Sequence, residues 1–441
     1  MRILIAGVGE VGSNMAWEIL HNGQSLVLVD QKEENLKPFS GVDNVELHHG
    51  NISTSPYLRE QDQKAFDMYF ATTESDEVNM ITCSMAKRVK VPITICRLQK
   101  MLHGTQSHQG LKQILGIDHL VNPIQILVDR LMEIYSAPNL FNHIIMFDEQ
   151  VNLYGFLTRN FCSIIGKSIS DVNEESRNLG FEISFLIKGK TNLIVDRDIK
   201  VEIGDYVYFF AREGKLETIR DYLGYLNKRN NRVVIVGGGR IGTMLAMELE
   251  NKGIYPIIIE KRPEQCEKLA SILRKSTILN MDGTDQKAML SERINTSNFF
   301  LALSNDDSAN IIACHLASDM GIENTVCLVQ EADMAKILHN SNGVLISISP
   351  RLTMKNYIMK LFAHNFMLAR QNLFGISNFQ ILESQSLSMP HVKNASYDEL
   401  KAQSIHPIIQ RDGDNIYPVS GENYDSSKES LFVCDKNLRI P

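Results

Sequence analysis

No stretch of this 441-residue chain is apolar for long enough to cross a bilayer as a helix, which takes about 20 residues. Nothing like a signal segment stands before the first apolar run, because Met1-Arg2 leads directly into Ile3-Leu4-Ile5-Ala6. The chain is therefore expected to be neither secreted nor membrane-spanning. Its seven cysteines, Cys83, Cys96, Cys162, Cys266, Cys314, Cys327 and Cys434, form no CxxC pair, and several fall in apolar runs. They read as buried, reduced thiols of a cytosolic protein. Lys and Arg are scattered through a chain of net charge −7 and make no basic stripe, so nucleic acid is not an expected partner. An apolar share of 44% is ordinary for globular cores, and the length divides into about three or four domains.

What the chain does have is a glycine-rich loop, twice. Gly7-Val8-Gly9-Glu10-Val11-Gly12 follows Ile3–Ala6, and Gly237-Gly238-Gly239-Arg240-Ile241-Gly242 follows Val233-Val234-Ile235-Val236. Each is trailed by an acidic residue at the end of a second apolar run, Asp30 after Leu26–Val29 and Glu260 after Ile257–Ile259. From Gly7 to Gly237 and from Asp30 to Glu260 the step is 230 in both cases. One such match is weak, whereas two at equal offset mark a duplicated nucleotide-binding module. Apolar runs without alternation fit strands buried on both faces of a parallel sheet. In the loop, the first glycine permits a tight turn, the second lets a diphosphate approach the backbone, and the third lets the helix pack on the strand. The loop so delivers a helix N-terminus to an anion. A carboxylate at the end of the second strand accepts from ribose hydroxyls and repels a 2′-phosphate, favouring NAD(H), ADP or ATP over NADP(H).

The repeat continues downstream. Thr73-Glu74-Ser75-Asp76 with Asn79 matches Ser304-Asn305-Asp306-Asp307 with Asn310, at a step of 231 from residue 73 to residue 304. Both follow apolar strands and are placed to cap the next helix and line the crevice at the strand ends. For Asp76 and Asp307 two readings stay open, capping alone and ligand contact. Each module closes with a proline-started helix, at Pro123 with Ile124, Leu127, Val128, Leu131 and Ile134, and at Pro350 with Leu352, Tyr357 and Leu361. Their apolar faces are read as subunit-contact or inter-module surfaces. Between and after the modules lie two small α+β segments. The first runs from about Asn142 to Tyr225, with strands at Val151–Leu157, Glu182–Ile187, Asn192–Val195 and Tyr206–Ala211 around one helix and a Lys188-Gly189-Lys190 turn. The second has Phe379–Glu383, a helix at Ser396–Ala402, and a hairpin joining Ile408-Ile409 to Ile416-Tyr417 across Arg411-Asp412-Gly413-Asp414.

This order of loop domain, small lobe, loop domain, small lobe resembles the Trk-type tandem RCK (regulator of potassium conductance, or KTN) family, over nearly the whole chain. The residues that carry it are Gly7–Gly12 with Asp30, Thr73–Met80, Arg97 after Val91–Cys96, Asp118–Pro123, Gly166-Lys167 and Gly204-Asp205, then Gly237–Gly242, Ser304–Asn310 and Ser349-Pro350. The expected fold class is α/β, two Rossmann-like doubly wound parallel-sheet domains each followed by a small α+β lobe. The expected division is 1–140, 141–226, 230–370 and 375–441, the last lobe being short.

The resemblance implies a cytosolic regulatory subunit, peripheral on the inner face of the cell membrane. It would gate a separate potassium translocator of the TrkH/TrkG type and assemble as a homo-oligomer, a dimer or tetramer. It implies NAD(H) as ligand, with ATP or ADP at the second site. Nucleotide contacts fall to Gly7, Val8, Gly9, Glu10, Val11, Gly12, Asp30, Asn51, Thr73, Glu74 and Arg97 in the first copy. In the second they fall to Gly237, Gly239, Arg240, Ile241, Gly242, Glu260, Asp282, Ser304 and Asn305. No metal ligand and no catalytic residue are implied.

The sequence departs from the family pattern in places. Glu10 sets a carboxylate beside the expected diphosphate where the second loop has Arg240. Arg97 aligns with the uncharged Gln330. Met281-Asp282 stands where a Gly-Asp pair is usual, whereas His49-Gly50-Asn51 is closer, and the final lobe reads as incomplete.

The rival class is an NAD-dependent oxidoreductase, which needs an acid–base group near the nicotinamide or a metal set. His48-His49 and His103/His108 are its nearest candidates, and they read better as loop histidines. A third reading is a nucleotide-dependent scaffold for another transporter.

Overall fold

The computed structural model describes residues 1–21, 23–58, 66–99, 105–138, 140–146, 151–189, 192–225, 232–331, 334–335, 338, 346–366, 370–372, 379–383, 395–403, 405–412, 415–419 and 423–435. The chain opens with β1 (Arg2–Ala6), α1 (Glu10–His21), β2 (Ser25–Asp30), α2 (Glu33–Leu36), β3 (Val45–His49), β4 (Met68–Ala71), α3 (Asp76–Arg88), β5 (Ile93–Arg97), α4 (Thr105–Leu115), β6 (His119–Val121) and α5 (Pro123–Ser136). Six parallel strands lie in the order β3-β2-β1-β4-β5-β6. Chain order reverses between β1 and β4, so the carboxyl ends of these two strands open the crevice in which a doubly wound sheet receives ligand. Ile3 to Ala6 and Met68 to Ala71 are wholly buried, which is why neither run alternates.

A five-stranded antiparallel lobe follows, from β7 (Leu140–Met146), β8 (Val151–Leu157), α6 (Ile169–Ser176), β9 (Phe181–Lys188), β10 (Asn192–Ile194), β11 (Tyr206–Ala211) and α7 (Leu216–Tyr222), in the order β10-β9-β11-β8-β7. The second sheet domain has β12 (Val233–Val236), α8 (Arg240–Asn251), β13 (Ile257–Glu260), α9 (Pro263–Ile272), β14 (Thr277–Asn280), α10 (Gln286–Ser291), β15 (Phe299–Ala302), α11 (Asp307–Asp319), β16 (Asn324–Leu328), β17 (Ile346–Ile348) and α12 (Pro350–Phe366). Its order, β14-β13-β12-β15-β16-β17, repeats that of the first. The last lobe has β18 (Arg370–Asn372), β19 (Phe379–Glu383), α13 (Tyr397–Ala402), β20 (Ile405–Asp412), β21 (Asn415–Pro418) and β22 (Glu429–Asp435), ordered β18-β19-β22-β20-β21.

The fold is α/β, with two Rossmann-like parallel sheets and an α+β lobe after each, as the sequence led us to expect. Three details differ. Strand β7 escaped the sequence reading, and the first lobe carries two helices, not one. The final lobe, short as it is, contains all five strands in the same relative order as the first. A helix after its last strand, matching α7, is absent among the described residues. The hairpin joining β20 to β21 is present, with Asp412 opposite Asn415; its turn residues Gly413 and Asp414, like Lys190 of the other turn, lie outside the described residues.

The chain forms two compact units. One gathers residues 1–132 with 231–358 and so holds both parallel sheets; the other gathers 133–230 with 359–441 and holds both lobes. In the second unit Phe185, Tyr206, Tyr208 and Phe210 of the first lobe share one core with Ile381, Ile409, Leu431 and Val433 of the last. Leu127, Val128, Leu131 and Ile134 of α5 are almost wholly buried within the chain itself, so that face is not left open for another subunit.

Candidate functional site

The two glycine loops show which glycines the fold needs and which it does not. Gly7 sits at φ +87°, where a side chain is strained, and a Cβ there would lie 2.6 Å from Thr73 N. Gly237, at φ +102°, faces Ser304 N in the same way, at 2.8 Å. A Cβ on Gly12 would fall 1.9 Å from the Gly7 carbonyl oxygen, and one on Gly242 would fall 2.0 Å from that of Gly237. These four serve the protein's own packing. Gly9 and Gly239 are different, because a Cβ at either would meet nothing within 4 Å. Their lack of a side chain leaves open space directly before the first turns of α1 and α8, where backbone N–H groups and the positive end of the helix dipole face outward.

The strand-end carboxylates hold these loops. Asp30 accepts from Val8 N at 2.6 Å and Lys32 N at 2.7 Å. Glu260 accepts from Gly238 N at 2.9 Å and Arg262 N at 3.0 Å, and it pairs with Arg262 Nε at 3.0 Å. Burial resists ionisation of Glu260, but the bonds from Arg262 and Gly238 outweigh it and hold its pKa below the ordinary value.

Behind each loop lies a repeated latch. Asn79 is wholly buried; its Oδ1 accepts from Thr73 N and Oγ1, and its Nδ2 donates to the carbonyls of Thr73 and Arg97. Asn310 does the same with Ser304 and Leu328. Thr73 and Ser304 are thus fixed at the strand ends. Asp76 and Asp307, for which capping and ligand contact were both open, accept from Gln99 N and Gln330 N and brace the loops beyond β5 and β16, while the caps of α3 and α11 themselves are Ser75 and Asp306.

These equivalences correct the alignment of Arg97. Asn79 and Asn310 mark Leu328 as its structural counterpart, while Gln330 matches Gln99. The first repeat therefore has a cation where the second has a hydrocarbon side chain. Arg97 Nε is buried without a partner, and Nη1 reaches only the Thr72 carbonyl at 3.5 Å. Burial lowers its pKa, Asp76 and Glu10 oppose that, and Arg240 adds to it.

Within the sheet unit the two loops open on one cavity of about 530 Å³. Of the nucleotide contacts expected from sequence, Glu10, Val11, Arg97, Gly239, Arg240, Ile241 and Asn305 line it. Gly7, Val8, Gly9, Gly12, Asp30, Thr73, Gly237, Gly242, Glu260 and Ser304 are not part of the lining, and Glu74 is exposed and pairs with Lys32 at 3.5 Å. Asn51 and Asp282 are exposed and spend their oxygens on Ser53 and Thr284 in local turns. These turns are alike, so the missing glycine at Met281 changes little. Sequence reasoning missed Gln99, Arg262, Gln265 and Arg351, which also line the cavity. The equal step from Gln99 to Gln330 and the place of Arg351 just inside a proline-started helix were the available signals. The lining holds four arginines and one glutamate and no histidine, lysine or cysteine, so it suits binding an anion better than moving a proton. Arg240 occupies the first turn of α8, where a cation is unfavourable unless an anion joins it. Among the described residues neither Arg97 nor Arg240 has an ion-pair partner, no group of His, Cys, Asp or Glu is arranged to hold a metal, and no helix is long and apolar enough to cross a membrane.

Known proteins resemble the chain in sequence and in fold. The chain is 25% identical to the Trk system potassium uptake protein TrkA of Haemophilus influenzae, over 80% of its own length and 77% of that protein's. It is 26% identical to the protein of the same name from Halomonas elongata, with the same coverage. The structure of the GsuK channel bound to NAD superposes with a TM-score of 0.61 at 14% identity, covering 99% of this chain and 77% of that one; at that identity the likeness speaks for the fold. A family profile described as the TrkA-N domain matches residues 3–123 and again 233–350, together more than half of the chain. The chain therefore belongs to the TrkA-N domain family and carries that domain twice.

Proposed function

We propose that the chain is a nucleotide-binding regulatory subunit of a potassium transport system and has no catalytic activity of its own. NAD(H) binds at the first loop and ATP or ADP at the second. The observation that carries this is the division among the glycines: in each loop the first and last are needed by the fold, and Gly9 and Gly239 keep clear a space that the protein does not use. A dinucleotide diphosphate fits that space, with Gly9 and the first turn of α1 at the phosphates, Asp30 toward a ribose and Arg97 as counter-charge. The relatives named for potassium uptake and the NAD-bound channel of like fold support the same assignment. Its partner is a membrane potassium translocator of the TrkH/TrkG type, met at the cytosolic face of the membrane by a dimer or tetramer of this chain. Ligand works by binding two arrangements of the assembly unequally, which is the only way it can shift their balance.

Thermal-shift titration of the full chain with NADH, NAD⁺, ADP and ATP tests the reading. A ligand at about a hundred times its Kd adds about 2.7 kcal/mol of stability. Gly9→Ala and Gly239→Ala should melt like wild type without ligand, and each should lose the shift at its own loop. Wild-type protein that none of the four ligands stabilises, or flux through the reconstituted translocator that ignores them, would defeat it. Turnover of NADH with a substrate would favour the oxidoreductase instead.

A further inference from the structure

The two repeats do not meet symmetrically at the cavity. Glu10, in the first turn of α1, pairs with Arg351 Nε at 3.2 Å, and Arg351 also reaches Glu331 at 3.3 Å. Glu10 belongs to the first repeat; Arg351 and Glu331 belong to the second. The repeat equivalent of Glu10 is Arg240, and that of Arg351, the residue after Pro350, is Ile124 after Pro123. The reciprocal contact would join an arginine to an isoleucine, so the ion pair exists once and serves only the first loop.

Glu10 stands at the helix end where the first loop would take a phosphate. Its charge opposes any anion there, and more strongly as the anion's charge rises. Arg351 offsets that opposition, but incompletely, since it is shared with Glu331. An internal diphosphate, with one negative charge per phosphate, meets less repulsion than a nucleotide whose terminal phosphate carries up to two.

We propose that the Glu10–Arg351 pair selects the ligand class of the first loop, admitting a dinucleotide diphosphate and disfavouring nucleotides with a free terminal phosphate. Arg351 is a positioning residue: it acts on the ligand through Glu10. The inference rests on the nucleotide reading above and adds to it that selection at the first loop is exerted by a residue of the second.

Calorimetric titration of NADH, ADP and ATP tests this in full-length chains that all carry Gly239→Ala, so that the second loop is silent. Glu10→Gln should tighten ATP and ADP by about fivefold or more and NADH by less, while Arg351→Gln should weaken all three, ATP most. In the double variant, loss of Arg351 should cost little, because the carboxylate it restrains is gone. Raised salt should shrink every difference. Melting curves taken alongside show whether each variant is folded. If Glu10→Gln shifts the three ligands equally, the selector role is overturned. If Arg351→Gln costs the same with and without Glu10, Arg351 touches the ligand itself and the positioning role is overturned. If none of the three binds the Gly239→Ala chain, nucleotide binding at the first loop fails, and this inference with it; binding with the wrong pattern defeats this inference alone.

Discussion

Asn79 donates from Nδ2 to the carbonyl oxygen of Arg97 at 3.0 Å and so ties the first turn of α3 to the end of β5. The same side chain serves Thr73 three times over, and all of this is buried. Asn79→Ala should therefore leave several polar groups unpaired and lower stability by about 2–4 kcal/mol. Denaturant unfolding would read this directly, and Asn310→Ala should cost a similar amount in the second repeat. A loss well below 1 kcal/mol for both would mean the latch is replaced by water.

The glycines separate folding from binding. Gly12→Ala and Gly242→Ala each place a methyl group about 2 Å from a carbonyl oxygen and should destabilise the chain by about 2 kcal/mol or more, since the helix must move off its strand. Melting without ligand is the measurement. Unchanged melting would show that α1 or α8 shifts freely.

Arg97→Leu gives the first repeat the residue of the second. Because Arg97 Nε is buried with no partner, the variant should be as stable as wild type or more so. Its affinity for NADH should nevertheless fall about tenfold through loss of a charge-assisted bond to phosphate. Calorimetry beside a melting curve shows whether stability and affinity move apart as stated.

Asp30→Ala should weaken NADH by about 1–3 kcal/mol. It also frees Val8 N and Lys32 N, so some loss of stability should accompany the loss of binding. Equal or tighter NADH binding would count against a ribose contact.

Glu250 makes a pH prediction. Burial works against its ionisation, yet Ser276 Oγ and the N–H groups of Lys275, Arg274 and Ser276 hold its pKa at about 2, against an ordinary 4.5. A folded-state pKa below the unfolded one gives stability that is present above pH 4.5 and lost as pH falls toward 2. Glu250→Gln should flatten the fall in unfolding midpoint between about pH 5 and 3 relative to wild type. A parallel fall would assign the acid sensitivity to other carboxylates.

The repeat was legible because its glycines, strand-end acids and capping residues do the same local work twice. Gly7 and Gly237 are forced by backbone conformation and by the approach of Thr73 and Ser304, so sequence had to preserve them. The register between repeats was less legible. The step is 230 at the loops, 231 from β14 to β16 and 227 at the closing prolines, and alignment carried Arg97 onto Gln330, two places too far. The pairs Cys83/Cys314 and Cys96/Cys327, both 231 apart, held the right register, but they were read only as buried thiols and not as markers of the repeat. Strand β7 follows Pro138-Asn139, but Asn142 and His143 interrupt its apolar run. The Glu10–Arg351 pair could not be read at all, since nothing in a linear sequence says which face of one repeat meets which face of the other.

That single pair also bears on why the repeats share a chain. Two identical subunits meeting about a twofold axis must show every contact twice, so a residue altered on one side is altered on both. Fusion removes that constraint. The covalent link keeps the halves together at high effective concentration whatever their interface becomes, and each half can then drift in its own direction: a carboxylate in one loop, an arginine in the other, a lone cross-contact with no mirror image. A single gene so holds what a symmetric dimer cannot, two unequal loops in fixed one-to-one proportion.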